Sequence, residues 1–177
     1  MAFLDESGFL LIPTRRRTWG RRGHVPIVRY SYKHDRISAL AALSVSAHRK
    51  HMGLYVRFRQ ENFHAIDVAR FLRQLLRHLR GPVILLWDHG RIHQGPLFAK
   101  LRKDYPRFHD EWFPGYAPEL NPVEFIWGDY KGRSANKLLL TKQNIRNHLH
   151  GSTRRVRRSQ DRLRAFVLAS DLPSPPW

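Results

Sequence analysis

The chain has 177 residues, of which 32 are Lys or Arg and 14 are Asp or Glu, so its formal net charge is +18. Its length and its 42% apolar content suffice for the core of one domain, which excludes simple disorder. The absence of Cys excludes disulfides, Cys-type zinc sites and thiol nucleophiles, and no apolar run is long enough for a membrane helix. So basic a domain predicts a polyanionic partner, most commonly nucleic acid, with an anionic membrane surface or a ribosomal scaffold as the next candidates.

The hydrophobic pattern predicts alternating strands and helices. In chain order these are strands at 2–5, 37–46 and 54–58, a helix at 64–79, strands at 83–87 and 111–113 on either side of a helix at 96–105, a helix from Asn121, and one or two basic helices from Thr141. An Arg-rich loop or hairpin spans 13–26. The apolar run at 83–87 is typical of a central strand buried on both faces. This order predicts an α/β fold with a mixed sheet flanked by helices.

Two acids follow apolar strands and precede Gly-containing turns. Asp5 comes after residues 2–4, and Asp88 comes after residues 83–87. Ligands bind beyond the carboxyl ends of strands in open α/β sheets, so neighbouring strands would bring both carboxylates together, where a divalent cation would relieve their repulsion. The alternative is that each acid makes ordinary turn hydrogen bonds.

Glu124 is the third acid of interest, near the start of the last predicted long helix. Asn121 as the cap, Pro122 at the first helical position and Glu124 at the third resemble a capping box. The same position one turn into the helix also suits a third oxygen ligand. The two roles compete for one carboxylate.

Three segments together resemble the DDE domain of bacterial IS630-type transposases, relatives of the Tc1/mariner group. They are FLDESGF at 3–9, LWDH at 86–89 with His93 beyond it, and YAPELNPVE at 116–124 with Trp127 and Lys131 beyond it. The 35 residues between Asp88 and Glu124 come close to the family spacing. The Arg-rich segment is also similar, so the likeness spans at least residues 1–131.

The resemblance implies an RNase H-like fold, with a catalytic domain at 1–135, basic helices of the same domain at 136–171 and a tail at 172–177. It also implies that Asp5, Asp88 and Glu124 are catalytic and hold two Mg²⁺ or Mn²⁺ ions. The implied reactions are hydrolysis of a phosphodiester at the transposon end and joining of that end to target DNA at a TA dinucleotide.

The chain departs from the family at two points. His89 stands where the family usually has Asn. The family's upstream helix-turn-helix region, which reads the terminal repeats, is expected either on a separate chain or to have been lost from a truncated or decayed copy. His93 is expected to support the acids from behind, as is His89. A zinc site on these two histidines is disfavoured because no known ligand spacing completes it.

Basic side chains are the predicted DNA contacts. They are Arg15, Arg16, Arg17, Arg21 and Arg22 around Trp19, followed by Arg154, Arg155, Arg157 and Arg158. The alternatives are a solvated loop with Trp19 in the core and a solvated helix face. Such contacts would follow the DNA backbone and carry little sequence specificity.

Three functions remain open from the sequence. The first is a metal-dependent DNA strand-transfer enzyme that acts as a homo-oligomer on DNA. The second is a catalytically inactive DNA-binding remnant of a transposase, and the third is an RNase H-like nuclease without transposition. For all three we expect a bacterial cytoplasmic protein associated with the nucleoid, with no membrane partner.

Overall fold

The computed structural model describes residues 1–12, 16–24, 27, 35–46 and 51–173. These residues form five strands and five α-helices in the order β1 (Ala2–Leu10), β2 (Arg36–Val45), β3 (Met52–Arg59), α1 (Ala65–His78), β4 (Val83–Trp87), α2 (Pro96–Asp104), β5 (Phe108–Trp112), α3 (Pro122–Ser134), α4 (Lys142–Arg157) and α5 (Gln160–Ala169). Short 3₁₀ turns occupy Arg91–His93 and Pro118–Leu120. No helix in these ranges is long and apolar enough to cross a membrane.

The five strands form one mixed sheet in the order β3-β2-β1-β4-β5. β1, β2 and β3 pair antiparallel as a meander, whereas β1 pairs parallel with β4, and β4 parallel with β5. The parallel pairs need crossover connections, which α1 and α2 supply. The predicted α/β fold with a mixed sheet flanked by helices is confirmed.

Each face of the sheet has its own core, because successive side chains of a strand point to opposite faces. Phe3 and Phe9 of β1 belong to the core under α3, α4 and α5. Ala2 and Leu4 belong to the core under α1 and α2. Leu172, which begins the predicted tail, packs against the first of these cores, and residues 174–177 lie outside the described residues.

β1 is longer than predicted, and Asp5 lies inside it. Ser7 and Gly8 favour a turn, but both continue the antiparallel ladder with β2, whose hydrogen bonds outweigh that local preference. On the opposite side, pairing with β4 extends only to Phe3. At Asp5, β1 is therefore paired with β2 on one side, whereas its pairing with β4 on the other side has already ended.

The predictions for β4 and β5 need correction. β4 has neighbours on both sides, but Ile84 is 44% exposed, because the helices on that face contact β1, β2 and β3 instead. β5 begins at Phe108, three residues earlier than predicted, where it pairs with Val83. Its alternate residues His109 and Glu111 are exposed, as befits an edge strand with a weak hydrophobic signal.

Candidate active site

Asp5 is a buried carboxylate on β1 that accepts a hydrogen bond from an indole. Trp127 of α3 donates through Nε1 to Asp5 Oδ2 over 2.8 Å, and Asp5 is only 8% exposed. Burial raises the pKa of Asp5 well above its ordinary value, and the carboxylates of Glu124 and Glu6 raise it further, against the opposing Trp127 hydrogen bond. A cation placed beside Asp5 would relieve this unfavourable environment.

Asp88 directly follows β4 and stands beside Asp5 by strand register. Phe3 pairs with Leu86, and the same parallel offset, continued by two residues, brings Asp5 level with Asp88. Asp88 contributes to the rise in the pKa of Asp5, in keeping with this proximity. The expected neighbourhood of the two acids thus comes from the parallel pairing of their strands.

The carboxylate of Asp88 is held from its own turn. Its Oδ1 accepts a 2.9 Å hydrogen bond from the backbone N–H of Gly90 and lies 2.8 Å from Nδ1 of His93. The hydrogen bond from His93 lowers the pKa of Asp88, although partial burial acts in the opposite direction. Asp88 therefore favours its ionised form, as its 59% exposed side chain also does.

His93 is buried and joins two carboxylates. Its Nδ1 contacts Asp88, and its Nε2 lies 3.0 Å from Oε1 of Glu6. Burial by itself lowers the pKa of His93, but hydrogen bonds to Asp88 and Glu6 outweigh it and raise that pKa to about 10. A protonated imidazole donates from both nitrogens. His93 can therefore donate to Asp88 through Nδ1 while it donates to Glu6 through Nε2.

Glu6 is a residue of the site that the sequence analysis did not identify. Because side chains alternate along β1, Glu6 faces away from Asp5, toward the face where His93 lies. The available signals were an acid directly after Asp5 and a histidine five residues after Asp88. Neither spacing indicates that the two side chains meet, because they are 87 positions apart in the sequence.

Glu124 is exposed, and the predicted capping box does not form. Asn121 caps α3 through Oδ1, which accepts from the N–H of Val123 over 3.1 Å, while the N–H of Asn121 donates to the carbonyl of Pro118. Asn121 Nδ2 also donates to the carbonyl of Leu4 over 3.0 Å, which ties the start of α3 to β1 beside Asp5. Since the cap does not use the Glu124 carboxylate, the two predicted roles no longer compete.

All three acids line one open cleft of about 500 Å³, together with His89 and the loop between β5 and α3. Across the described part of the chain, however, no three Asp, Glu, His or Cys side chains form a group that could already hold a metal ion. The donor set is nonetheless made of carboxylate oxygens, the ligands that Mg²⁺ and Mn²⁺ prefer. The chemistry of the cleft fits these ions, and the burial and neighbouring carboxylates that raise the pKa of Asp5 favour their binding.

A column of four stacked rings runs beside the acids. The successive centroid distances are 4.7 Å from His93 to Trp87, 5.3 Å from Trp87 to Trp112 and 5.0 Å from Trp112 to His89, with ring planes within 17° of parallel. Two indole rings therefore separate the histidines, which excludes a zinc site shared by His89 and His93. His93 is the buried end of the column, and His89 is its exposed end.

The Arg-rich segment is exposed where the structure describes it. Trp19 is 100% exposed, so the alternative that buries it in the core is wrong, and Arg17, Arg21 and Arg22 are exposed too. The backbone of Arg16 exchanges two hydrogen bonds with the Asn136 side chain, and its guanidinium packs over Gly132 of α3. Arg15 lies outside the described residues.

The C-terminal arginines occupy the end of α4, which packs on β2 and β3. Arg154, Arg155, Arg157 and Arg158 are exposed. Arg157 also donates through Nε to the carbonyl of Leu54 over 2.9 Å, so it fastens α4 to β3. None of the four lines the acidic cleft.

Solved structures show the same fold at low sequence identity. The Mos1 transposase paired-end complex with left transposon end is 14% identical at a TM-score of 0.63, over 96% of this chain and 55% of that chain. The catalytic domain of Mos1 mariner transposase is 12% identical and has a TM-score of 0.60. That match covers 97% of this chain and 83% of the Mos1 domain. The structure of the same domain with Raltegravir and Mg is also 12% identical, with a TM-score of 0.60. It matches over 98% of this chain and 85% of that chain.

The family model for DDE superfamily endonucleases matches residues 1–146, which is most of the chain. No curated protein sequence matches. The chain spans about half the length of the Mos1 transposase in its paired-end complex. The predicted RNase H-like fold and the resemblance to Tc1/mariner relatives are confirmed, and the chain belongs to the DDE superfamily of endonucleases.

Proposed function

We propose that this chain is the catalytic part of an IS630-type transposase, which cuts DNA at a transposon end and joins that end to a TA target. The observation that carries the proposal is the cleft that Asp5 of β1, Asp88 after β4 and Glu124 of α3 all line. Family membership supplies the reaction class, and the cleft supplies the three carboxylates that the reaction needs.

In this proposal Asp5, Asp88 and Glu124 hold two Mg²⁺ or Mn²⁺ ions, as the oxygen-only donor set favours. Such ions, when bound, activate a water or 3′-hydroxyl and stabilise the leaving oxygen of an in-line displacement. The chain's own contribution is placement. Trp127 orients Asp5, Asn121 fixes the start of α3 against β1, and His93 orients Asp88 from behind.

The proposed substrate is transposon-end DNA, bound by a homo-oligomer of the chain. The charge of +18 and the exposed Arg and Trp side chains at 16–22 and 154–158 support backbone contacts. A separate helix-turn-helix chain would provide the reading of the terminal repeats. We place this activity at the bacterial nucleoid, where such DNA is found.

The test is strand nicking of a labelled duplex that carries the inverted repeat flanking the reading frame, with Mg²⁺ or Mn²⁺. We expect wild type to nick and Asp88→Asn and Glu124→Gln to fail. Glu119→Gln is the matched control, because Glu119 is an exposed acid in the same loop that does not line the cleft.

The other outcomes separate the remaining candidates. Salt-sensitive DNA binding without nicking by wild type would favour the inactive DNA-binding remnant. Nicking without joining of the cut end to target DNA would favour a nuclease. Nicking retained by Asp88→Asn would overturn the proposed set of catalytic acids.

A further inference from the structure

We infer that His89 is a stacking platform for one nucleobase of the DNA in the cleft. This inference rests on the proposed function and adds to it a contact with a base, whereas the acids and arginines would contact only phosphates and their metal ions. The ligand is an unstacked nucleotide next to the phosphate that is cut.

The ring column carries the argument. His89 stacks on Trp112 at 5.0 Å and 17°, Trp112 stacks on Trp87 at 5.3 Å and 17°, and Trp87 is fully buried. The terminal imidazole is therefore supported by two indoles and does not need to be ordered when a ligand binds. A surface held in place in this way binds with a smaller entropic cost.

The position of His89 puts that ring where a nucleotide would pass. His89 is exposed, lines the same cleft as the three acids, and directly follows Asp88. Among the described residues, its one recorded ring contact is with Trp112, so a base would extend the column by one more ring. Imidazole rings, like other aromatic side chains, stack on splayed bases, whether purine or pyrimidine.

A second aromatic side chain stands on the same cleft. Tyr116 lines it from the loop between β5 and α3, and its side chain is fully exposed. Its backbone has a φ of 58°, in the left-handed region that bulky residues rarely adopt. The cleft thus offers two aromatic surfaces beside its carboxylates, which suits a nucleotide better than a phosphate alone.

The proposed platform also gives a reason for the histidine at this position, which departs from the family. The family usually has Asn at this position, and an amide has no ring to complete the column. His89→Asn therefore restores the usual residue and removes the proposed platform, while His89→Phe keeps a ring. These two variants separate stacking from hydrogen bonding, which Asn retains and Phe loses.

The experiment measures binding of transposon-end duplexes in EDTA by fluorescence anisotropy. One duplex carries every base, and the others each lack a single base within three nucleotides of the cleavage position. We expect His89→Ala and His89→Asn to bind the complete duplex about tenfold more weakly than wild type, and His89→Phe to bind like wild type. On one abasic duplex the difference between wild type and His89→Ala should disappear.

His109→Ala is the matched control, because His109 is an exposed histidine on β5 that does not line the cleft. It should bind every duplex like wild type. A loss for His89→Ala that persists equally on all abasic duplexes, or no loss at all, would overturn the platform. Failure of the proposed function is seen separately, as absence of nicking in Mg²⁺ by a wild type that still binds DNA.

Discussion

The two strand acids of the cleft are held in opposite ways. Asp5 is buried against Trp127, and burial together with neighbouring carboxylates raises its pKa. Asp88 is more exposed, and the hydrogen bond from His93 lowers its pKa. One acid thus gains most from an added cation, whereas the other already has a cationic partner in the protein.

This difference changes what a neutralising substitution should do. The sequence makes Asp5 and Asp88 look equivalent, since both follow apolar stretches and precede Gly, and removal of either charge would be expected to relieve repulsion. In the structure only the pKa of Asp5 is raised by neighbouring carboxylates, so of the two acids only Asp5 should gain from loss of its charge. Neutralising Asp88 would remove the charge of one of the two carboxylates that contact buried His93.

The largest expected effect is on catalysis by Asp5→Asn. Nicking in Mg²⁺ should fall by at least about 100-fold, because in the proposed mechanism the carboxylates would hold metal ions that supply several kcal/mol of charge stabilisation. Initial rates on the labelled duplex measure this. Wild-type rates in this variant would remove Asp5 from the catalytic set and leave its burial without a function.

Glu6→Gln tests the support of Asp88 from behind. We expect the Mg²⁺ concentration for half-maximal nicking to rise about 10- to 100-fold, because partners behind a metal ligand typically affect affinity by this amount. Saturating Mg²⁺ should restore the rate, which a general folding defect would not allow. Glu111→Gln is the control, because Glu111 is an exposed acid of β5. An unchanged Mg²⁺ requirement in Glu6→Gln would show that His93 positions Asp88 without help from Glu6.

Thermal unfolding in EDTA should separate the two acids by sign. Asp5→Asn should raise the Tm by roughly 2 to 4 °C, the shift that about 1 kcal/mol produces in a domain of this size. Asp88→Asn should lower the Tm by less, because the Asp88 side chain is 59% exposed and solvent screens its pairing with His93. Equal shifts of the same sign would contradict the contrast.

The pH dependence of this difference follows from the direction of the Asp5 shift. An acid whose folded pKa is raised binds more protons in the folded state, so it costs stability as the pH rises through that pKa. The gain from Asp5→Asn should therefore be complete above the raised pKa and vanish below the ordinary pKa of aspartate. Unfolding curves of both proteins from acid to neutral pH measure it, and a gain that grows toward acid pH would refute the raised pKa.

The smallest effect is expected outside the cleft. Replacing Arg16, Arg17 and Trp19 together by Ala should leave the Tm nearly unchanged, because these side chains are exposed, and should make log K against log salt less steep by about one for each lost phosphate contact. Replacing Arg154, Arg155 and Arg158 together by Ala tests the second basic patch in the same way. A salt slope unchanged in both triples would leave DNA binding to other residues.

Local sequence patterns predicted most elements because their signals are local. The three- and four-residue apolar spacing identified α1, and the continuous apolar run identified β4. The same rules failed at Ser7 and Gly8, where pairing with β2 prevailed over turn preference. They also failed at Ile84, whose exposure depends on where helices from elsewhere in the chain pack.

The candidate site divides in the same way. Asp5, Asp88 and Glu124 were identifiable from their motifs and spacing, and the exposed state of the basic segments agrees with their composition. The contact between Trp127 and Asp5 spans 122 residues, that between His93 and Glu6 spans 87, and the ring column joins two strands. Only the folded sheet decides which acid is buried, which is paired and which ring ends at the cleft, because these depend on strand register and on which face each side chain occupies, and a linear sequence specifies neither for partners so far apart.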